Sequence, residues 1–304
     1  MGTRSSIFST KTPGLPVNIL DVGTTPGSVF FVNSSTGTNG AGYGSSPDSP
    51  VATIDYAVGL CTANKGDVIY VMPGHNESLT TANGVDADVA GISIIGLGTG
   101  SLKPTLDYDH ADGEFVIGAD NVTIKNLRFR VSANAVTKAI DIEAGADSYV
   151  IDGCEFGWAE TASDEFTDTI IVNVGCNDGI IQNCLFAAGA QAAVTGIKLV
   201  GASDNIIIRN NRFTGAYSTA MINGITTLST NLLIDNNVMQ QGATEPGIEL
   251  LTGTTGVIKH NYIATNLATI AASIVADGCW KFLNYYCEVG NETGAQIGTA
   301  SVDD

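Results

Sequence analysis

The chain has 304 residues, of which 44% are hydrophobic, only 14% are charged and 36 are glycine. That is enough apolar chain for a large core and the composition of an all-β protein rich in tight turns. A net charge of −18 excludes nucleic acid as a natural partner, because a phosphate binder needs a basic face, and no apolar run reaches the length of a membrane span.

Residues 1–28 are rich in Pro, Ser, Thr and Gly, show no periodicity and carry a charge of +1, from Arg4 and Lys11 against Asp21. They read as an extended N-terminal arm that orders only by docking, with Arg4, Ile7, Phe8, Lys11 and Leu15 as candidate partner-binding residues. The opening "MGTRSSIFSTKTPG" has no hydrophobic centre of the signal-peptide kind, so the expectation is a protein made in the cytoplasm. Residues 29–304 read as one domain. A strand at 29–32 leads through a Gly-rich loop to Ser49-Pro50, which predicts a helix over about 50–64 with Ile54, Ala57, Val58 and Cys61 on one face and Gly66 closing it. Such a helix would cap the open end of a solenoid.

The densest acidic segment follows, "LDYDHADGEF". Asp107, Asp109, Asp112 and Glu114 are candidate calcium ligands, although their spacing is off by one from D-x-D-x-D-G; a solvated turn between strands is the other reading. A second acidic segment, "AETASDEFTD" with Glu160, Asp164, Glu165 and Asp168, reads as a protruding loop.

From residue 121 the chain repeats a phrase: "NVTIKNLRF", "DGIIQNCLF", "NIIIRNNRF", then "TNLLIDNNVM" and "TGVIKHNYI". Anchored on Ile124, Ile151, Ile181, Ile208, Ile234, Ile258 and Phe282, its spacings are 27, 30, 27, 26, 24 and 24. A β-rich period in the twenties predicts a solenoid in which each coil lies one strand spacing, about 4.8 Å, from the next and like residues stack. Five columns follow. The anchors and Phe129, Phe156, Phe186 and Phe213 are interior. Asn126, Asn183, Asn210, Asn236 and Asn284, with His260 substituting, form a structural amide ladder at a corner that Asn tolerates in the left-handed conformation, and the next column, Leu127, Cys154, Cys184, Asn211, Asn237 and Asn261, ends in asparagines read as a corner ladder too. Lys125, Asp152, Gln182, Arg209, Asp235 and Lys259 form an outward charge ladder that avoids like neighbours, repeated by Arg128 and Glu155.

The segments "GTNGAGYGSSPDSPVATIDYAV", "MPGHNESLT", "ISIIGLGTGSLKPTLDYD" and "ADNVTIKNLRF" resemble right-handed parallel β-helix proteins of the pectate-lyase-like superfamily, and more narrowly those encoded among the structural genes of tailed bacteriophages. The resemblance spans about residues 29–290 and implies an all-β fold, a right-handed parallel β-helix of eight to ten coils. Enzymes of this resemblance hold calcium with acids on one sheet beside a basic residue, or use paired carboxylates. Here Asp141 and Glu143 align with Ile171 and Asn173, then with Lys198 and Val200, so no acidic stack continues and no catalytic residue is assigned. Six cysteines without a CxxC pair predict reduced, buried thiols rather than a zinc site. The functional expectation is a non-enzymatic virion protein, a capsid decoration or cement protein bound through its arm to the major capsid protein or another virion protein. It needs no cofactor, apart from the calcium option above. The alternative is a carbohydrate-binding or carbohydrate-degrading β-helix of the tailspike-depolymerase or polysaccharide-lyase kind. A homotrimer is expected, with one or both of the uncharged stretches "AAGAQAAVTG" (187–196) and "ATNLATIAASIVA" (264–276) at its interface; tight loops and interior strand are the other reading of them.

Overall fold

In a computed structural model, residues 26–157, 164–189, 193–267, 270–288 and 294–297 are described. Each repeat of the phrase is one short strand held between two left-handed corners five residues apart: Asn121 and Asn126, Ser148 and Gly153, Asp178 and Asn183, Asn205 and Asn210, Asn231 and Asn236 all have φ between 54° and 65°. Asn, Asp and Gly occupy nine of these ten corners because they tolerate that conformation at least cost. The pattern explains the phrase: its framing residues turn the chain, and its central isoleucine points inward.

Three sheets result, parallel throughout except for the last strand of the second. The anchor sheet has ten strands, from Val29–Val32 through Val68–Val71 and Ser93–Gly96 to Cys279–Phe282. The second, the aromatic sheet, also has ten and includes Arg128–Val131, Glu155–Gly157 and Leu185–Ala187. The third has eight and carries the longest strands, among them Val136–Ile142, Phe166–Val172, Ala193–Leu199 and Tyr217–Gly224. Among the described residues they make eight complete coils.

The predicted columns stand in register. Ile124, Ile151, Ile181, Ile208, Ile234 and Ile258 pair in sequence and are fully buried. Phe129, Phe156, Phe186 and Phe213 stack with centroids 4.8, 4.9 and 4.4 Å apart and planes within 16°. Beyond Ile258 the prediction slips by one. Lys281, not Phe282, faces Ile258, since the last coil is a residue shorter, and Leu283 takes the corner at φ 54°. Asn284 therefore leaves the corner column and joins Asn211, Asn237 and Asn261, which form an interior ladder and not the expected corner one, because they follow the left-handed corner residue and turn inward; each of the four is 0–1% exposed. There each amide nitrogen donates to the carbonyl of the preceding coil's anchor, at 2.8–3.0 Å, from Asn211 to Ile181, Asn237 to Ile208, Asn261 to Ile234 and Asn284 to Ile258. Each side-chain oxygen accepts the backbone N–H one coil back, at 2.9–3.0 Å. The corner ladder is lighter: Asn126 reaches Gly96 and Gly98 carbonyls, Asn183 reaches Asp152 at 2.7 Å and Asn236 reaches Asn210 at 2.9 Å.

The capping helix is shorter than expected, Ile54–Val58, with Thr53 rather than Ser49 as N-cap and Gly59 rather than Gly66 at its C-terminus. Pro50 and Val51 stay extended because Val51 pairs with Val32 and donates to the Phe31 carbonyl at 2.9 Å. The helix still does the expected job: Ile54, Ala57 and Val58 join the core against the first strands of the anchor sheet and against Val85–Ala87, the first strand of the long-strand sheet. At the other end Gly294–Ile297 runs antiparallel to Asn284–Glu288 and covers the last edge of the aromatic sheet. Of the uncharged stretches expected at a subunit interface, Ala193, Thr195, Thr265, Ser273, Ile274 and Ala276 are buried inside the protomer, whereas Asn266 and Val275 are exposed.

The two ladders make a contrast that can be measured. Asn237→Ala strands a buried backbone N–H and a carbonyl, and is expected to cost more than about 2 kcal/mol, whereas Asn236→Ala at the solvent-facing corner costs about 1 kcal/mol or less. Urea unfolding of the two variants checks the order; equal losses would mean that the interior ladder carries no special weight.

Candidate functional site

The acids singled out in the sequence do not converge. Asp107 is 7% exposed and engaged by the Arg130 guanidinium and by the Ser132 hydroxyl at 2.7 Å. Glu114 pairs with Lys138 at 2.7 Å. Asp109 and Asp112 are exposed in the turn, where Asp112 lies 3.5 Å from His110. The turn between them leaves Asp107 in the aromatic sheet and Glu114 just before the strand Phe115–Ile117 of the long-strand sheet, so the proposed calcium loop is not assembled, and among the described residues no three His, Cys, Asp or Glu side chains are grouped to hold a metal. The expected protruding loop is also corrected in part: Asp164, Glu165 and Asp168 are 6–9% exposed, and Asp168 accepts from Thr195 at 2.7 Å and Lys198 at 2.6 Å. Glu160 and all five arm residues, Arg4, Ile7, Phe8, Lys11 and Leu15, lie outside the described residues.

What the fold brings together instead is a cleft of about 360 Å³ beside the first coils, lined by His75, Asn76, Lys103, Thr105, Arg128 and Arg130 among others. Three cations and a histidine meet there on a protein of net charge −18. Register assembles it: Thr105 pairs with Arg128 and Asp107 with Arg130, and Arg128 pairs with Glu155 on the next coil. Lys103 is 6% exposed and spans two coils, donating to the Gly153 carbonyl at 2.9 Å and to Glu155 at 3.0 Å; Arg128 donates to the other Glu155 oxygen at 2.9 Å. Burial would raise the Glu155 carboxyl, but these two partners outweigh it and hold it below its ordinary value.

At the cleft's inner wall His75 is 1% exposed. Its Nδ1 accepts the Ser34 N–H at 3.0 Å, which places the ring proton on Nε2, and that nitrogen donates to Glu77 at 3.0 Å. The same Glu77 oxygen accepts the Ile54 N–H at 3.0 Å. The pair thereby ties the first strand, the capping helix and the next coil. The cleft is polar, with each of its cations facing a carboxylate, and its chemistry suits hydrogen bonding to a hydroxyl-rich or anionic ligand. Sequence reasoning missed it because its pairs lie 23–30 positions apart and join different columns: Thr105, Arg128 and Glu155 align on successive coils, while Lys103 stands two positions before that column.

The outward ladder is present as predicted: Lys125 lies 3.6 Å from Asp152, Arg209 donates to Gln182 at 2.9 Å, and Asp235 meets Lys259 at 3.7 Å and His260 at 2.9 Å. Asp141 aligns with Ile171 and then Lys198, so the acidic stack does end where the sequence indicated. All six cysteines are free thiols. Burial, with Asp67 adding to it, pushes Cys61 up to about 12, and burial pushes Cys279 up to about 11, which leaves both unreactive; Cys287 departs from expectation in being exposed.

The family model described as a right handed beta helix region matches residues 112–279, more than half of the chain. This chain belongs to the right-handed β-helix family. Solved structures with a similar fold include a rhamnogalacturonan lyase, with a TM-score of 0.53 at 13% identity over 79% of this chain and 69% of that one. Escherichia coli YbhC gives 0.49 at 16% identity over 98% and 85%, and the pectin methylesterase of Aspergillus niger gives 0.43 at 13% over 90% and 93%. No curated protein sequence matches the β-helix.

The Glu155 cluster yields a pH test. A carboxyl depressed in the folded state contributes stability above its unfolded pKa and loses it as pH falls through the folded value. Acidification below the ordinary glutamate range, about pH 4.3, is thus expected to destabilise the wild type. Glu155→Gln leaves Lys103 buried without its counter-charge, costs about 1–3 kcal/mol at neutral pH, and flattens the acid limb of the curve. Thermal unfolding across that range checks it; parallel curves for the two proteins would refute the assignment.

Proposed function

We propose that this β-helix is a non-enzymatic structural protein of a bacteriophage particle, a capsid decoration or cement protein on the outer surface, held as a homotrimer and attached by residues 1–28 to the major capsid protein or another virion protein. The observation that carries the reading is the use made of the charged side chains. Lys103, Arg128 and Arg130, Asp107 and Glu155, Lys138 and Glu114, Lys198 and Asp168 are each committed to a partner on another coil, so that side chains able to do chemistry instead hold a rod together. An acidic rod with an aperiodic, less acidic arm suits a protein that is tethered at one point and hydrated elsewhere. The sequence resemblance to β-helices of tailed-phage structural genes supports the same reading.

Deleting residues 1–28 is expected to leave a folded β-helix, by circular dichroism, that no longer co-sediments with particles. Unchanged occupancy of particles by the truncated protein would remove the arm from this role.

A second reading, a carbohydrate-binding or carbohydrate-degrading β-helix, draws on the polar cleft around Lys103 and Arg130 and on the lyase whose fold it shares. Release of reducing or unsaturated ends from acidic polysaccharides, abolished by Lys103→Ala with Arg130→Ala, would decide for it and against a purely structural role.

A further inference from the structure

Of the eleven large apolar side chains that are exposed among the described residues, five share one corner of the last coils. Val238, Tyr262, Trp280, Leu283 and Tyr285 are 47, 49, 65, 42 and 41% exposed. Val238 pairs with Tyr262 and Tyr262 with Tyr285 along the aromatic sheet, Trp280 stands on the anchor sheet, and Leu283 is the corner between the two. A cluster of this kind marks a contact surface rather than scattered exposure.

Three observations say what covers it. The first is charge. Residues 26–157 carry 16 acidic and 6 basic side chains, a net of −10, while residues 209–304 carry 8 and 4, a net of −4. A basic partner would be drawn to the more acidic half; an apolar corner kept at the less acidic end favours a partner that is itself acidic, and a second copy of this chain is one. The second is ring geometry. Tyr262 and Tyr285 stack at 5.0 Å and 12°, so their faces cover one another and their edges point outward, which suits an apolar protein surface and not the face-on stacking of a sugar. The third is Leu283. It holds a left-handed conformation that Asn126, Gly153, Asn183, Asn210, Asn236 and His260 hold on earlier coils. A leucine there is strained and exposed, a cost to the isolated protomer that an interface would offset.

We propose that this corner is the self-association surface, on which copies of the β-helix meet through their less acidic ends, with their more acidic halves splayed apart. A corner has two flanks, so a closed ring can set Trp280 of one copy against Tyr262 and Tyr285 of the next. End-to-end stacking of the aromatic sheet is blocked by the antiparallel strand Gly294–Ile297. The proposal deepens the homotrimer of the preceding reading by naming its contact surface.

Sedimentation equilibrium of the full chain across a range of concentrations tests it. The wild type is expected to associate, and Trp280→Asp and Tyr262→Asp to weaken association at least about tenfold, with circular dichroism unchanged. Leu283→Asn is expected to weaken association while raising the protomer's unfolding temperature, a combination that a merely structural residue does not produce. Tyr43→Asp, 40% exposed near the opposite end, leaves association unaltered. A wild type that remains a single protomer throughout, or variants that associate as it does, would overturn the proposal. Co-sedimentation of the wild type with particles is scored separately: retained particle binding alongside absent self-association sinks the corner and spares the structural role.

Discussion

Parallel coils one strand spacing apart place every side chain directly over its equivalent in the next coil, and this single constraint organises the molecule. Backbone hydrogen bonding sets the spacing, so side chains must be chosen to tolerate a close copy of themselves. Phenylalanine does so by offset stacking, isoleucine by flat aliphatic packing, and asparagine by offering a donor and an acceptor on one planar group. The interior asparagines are permitted for that reason. A buried amide is costly alone, but Asn237 accepts from Asn211 and donates to Asn261, and each neighbour removes the other's penalty. The ladder ends where it must: toward the N-terminus it gives way to Cys184 and Cys154, whose thiols need no partner of that strength.

Charge obeys the same rule with the opposite sign. A residue that repels its own copy cannot be repeated down a column, so outward positions alternate, as Lys125 and Asp152 do, or carry a neutral amide such as Gln182 between charged coils. Glu155 shows how far this goes. It gathers Lys103 and Arg128 from two different columns, and the resulting knot draws three cations to one cleft on an otherwise acidic protein. Most of the net charge is thereby left to the acids of the first five coils, and the last coils carry less of it.

The ends of a solenoid are where the stacking constraint lapses, and there the molecule departs from its repeat. The capping helix closes one end with three buried side chains, and His75 and Glu77 bind it to the first coil. The other end carries a reversed strand, a displaced register at Lys281 and the exposed aromatic corner. With no further coil to match, these positions are released from repetition and can answer to a partner.

Period, corner chemistry and column identity were written in the sequence by itself, because a solenoid converts a fixed spacing along the chain into contact in space: Ile124 to Ile258, the phenylalanines, Asn126 to Asn236 and the alternating charges could all be read before any coordinates. Helix length was not legible, since Pro50 and Val51 were claimed by the sheet edge rather than by local propensity. Nor was the fate of Asn284, where the loss of one residue from the last coil moved it from a corner into the core. The acids of 107–114 looked like one cluster because they are neighbours along the chain; the turn between them sent Asp107 to Arg130 and Glu114 to Lys138. The cleft and the aromatic corner belong to the tertiary structure alone. Both join residues from different coils or on either side of a corner, and whether such side chains point inward, outward or toward one another is decided by register, which a single misplaced loop residue is enough to change.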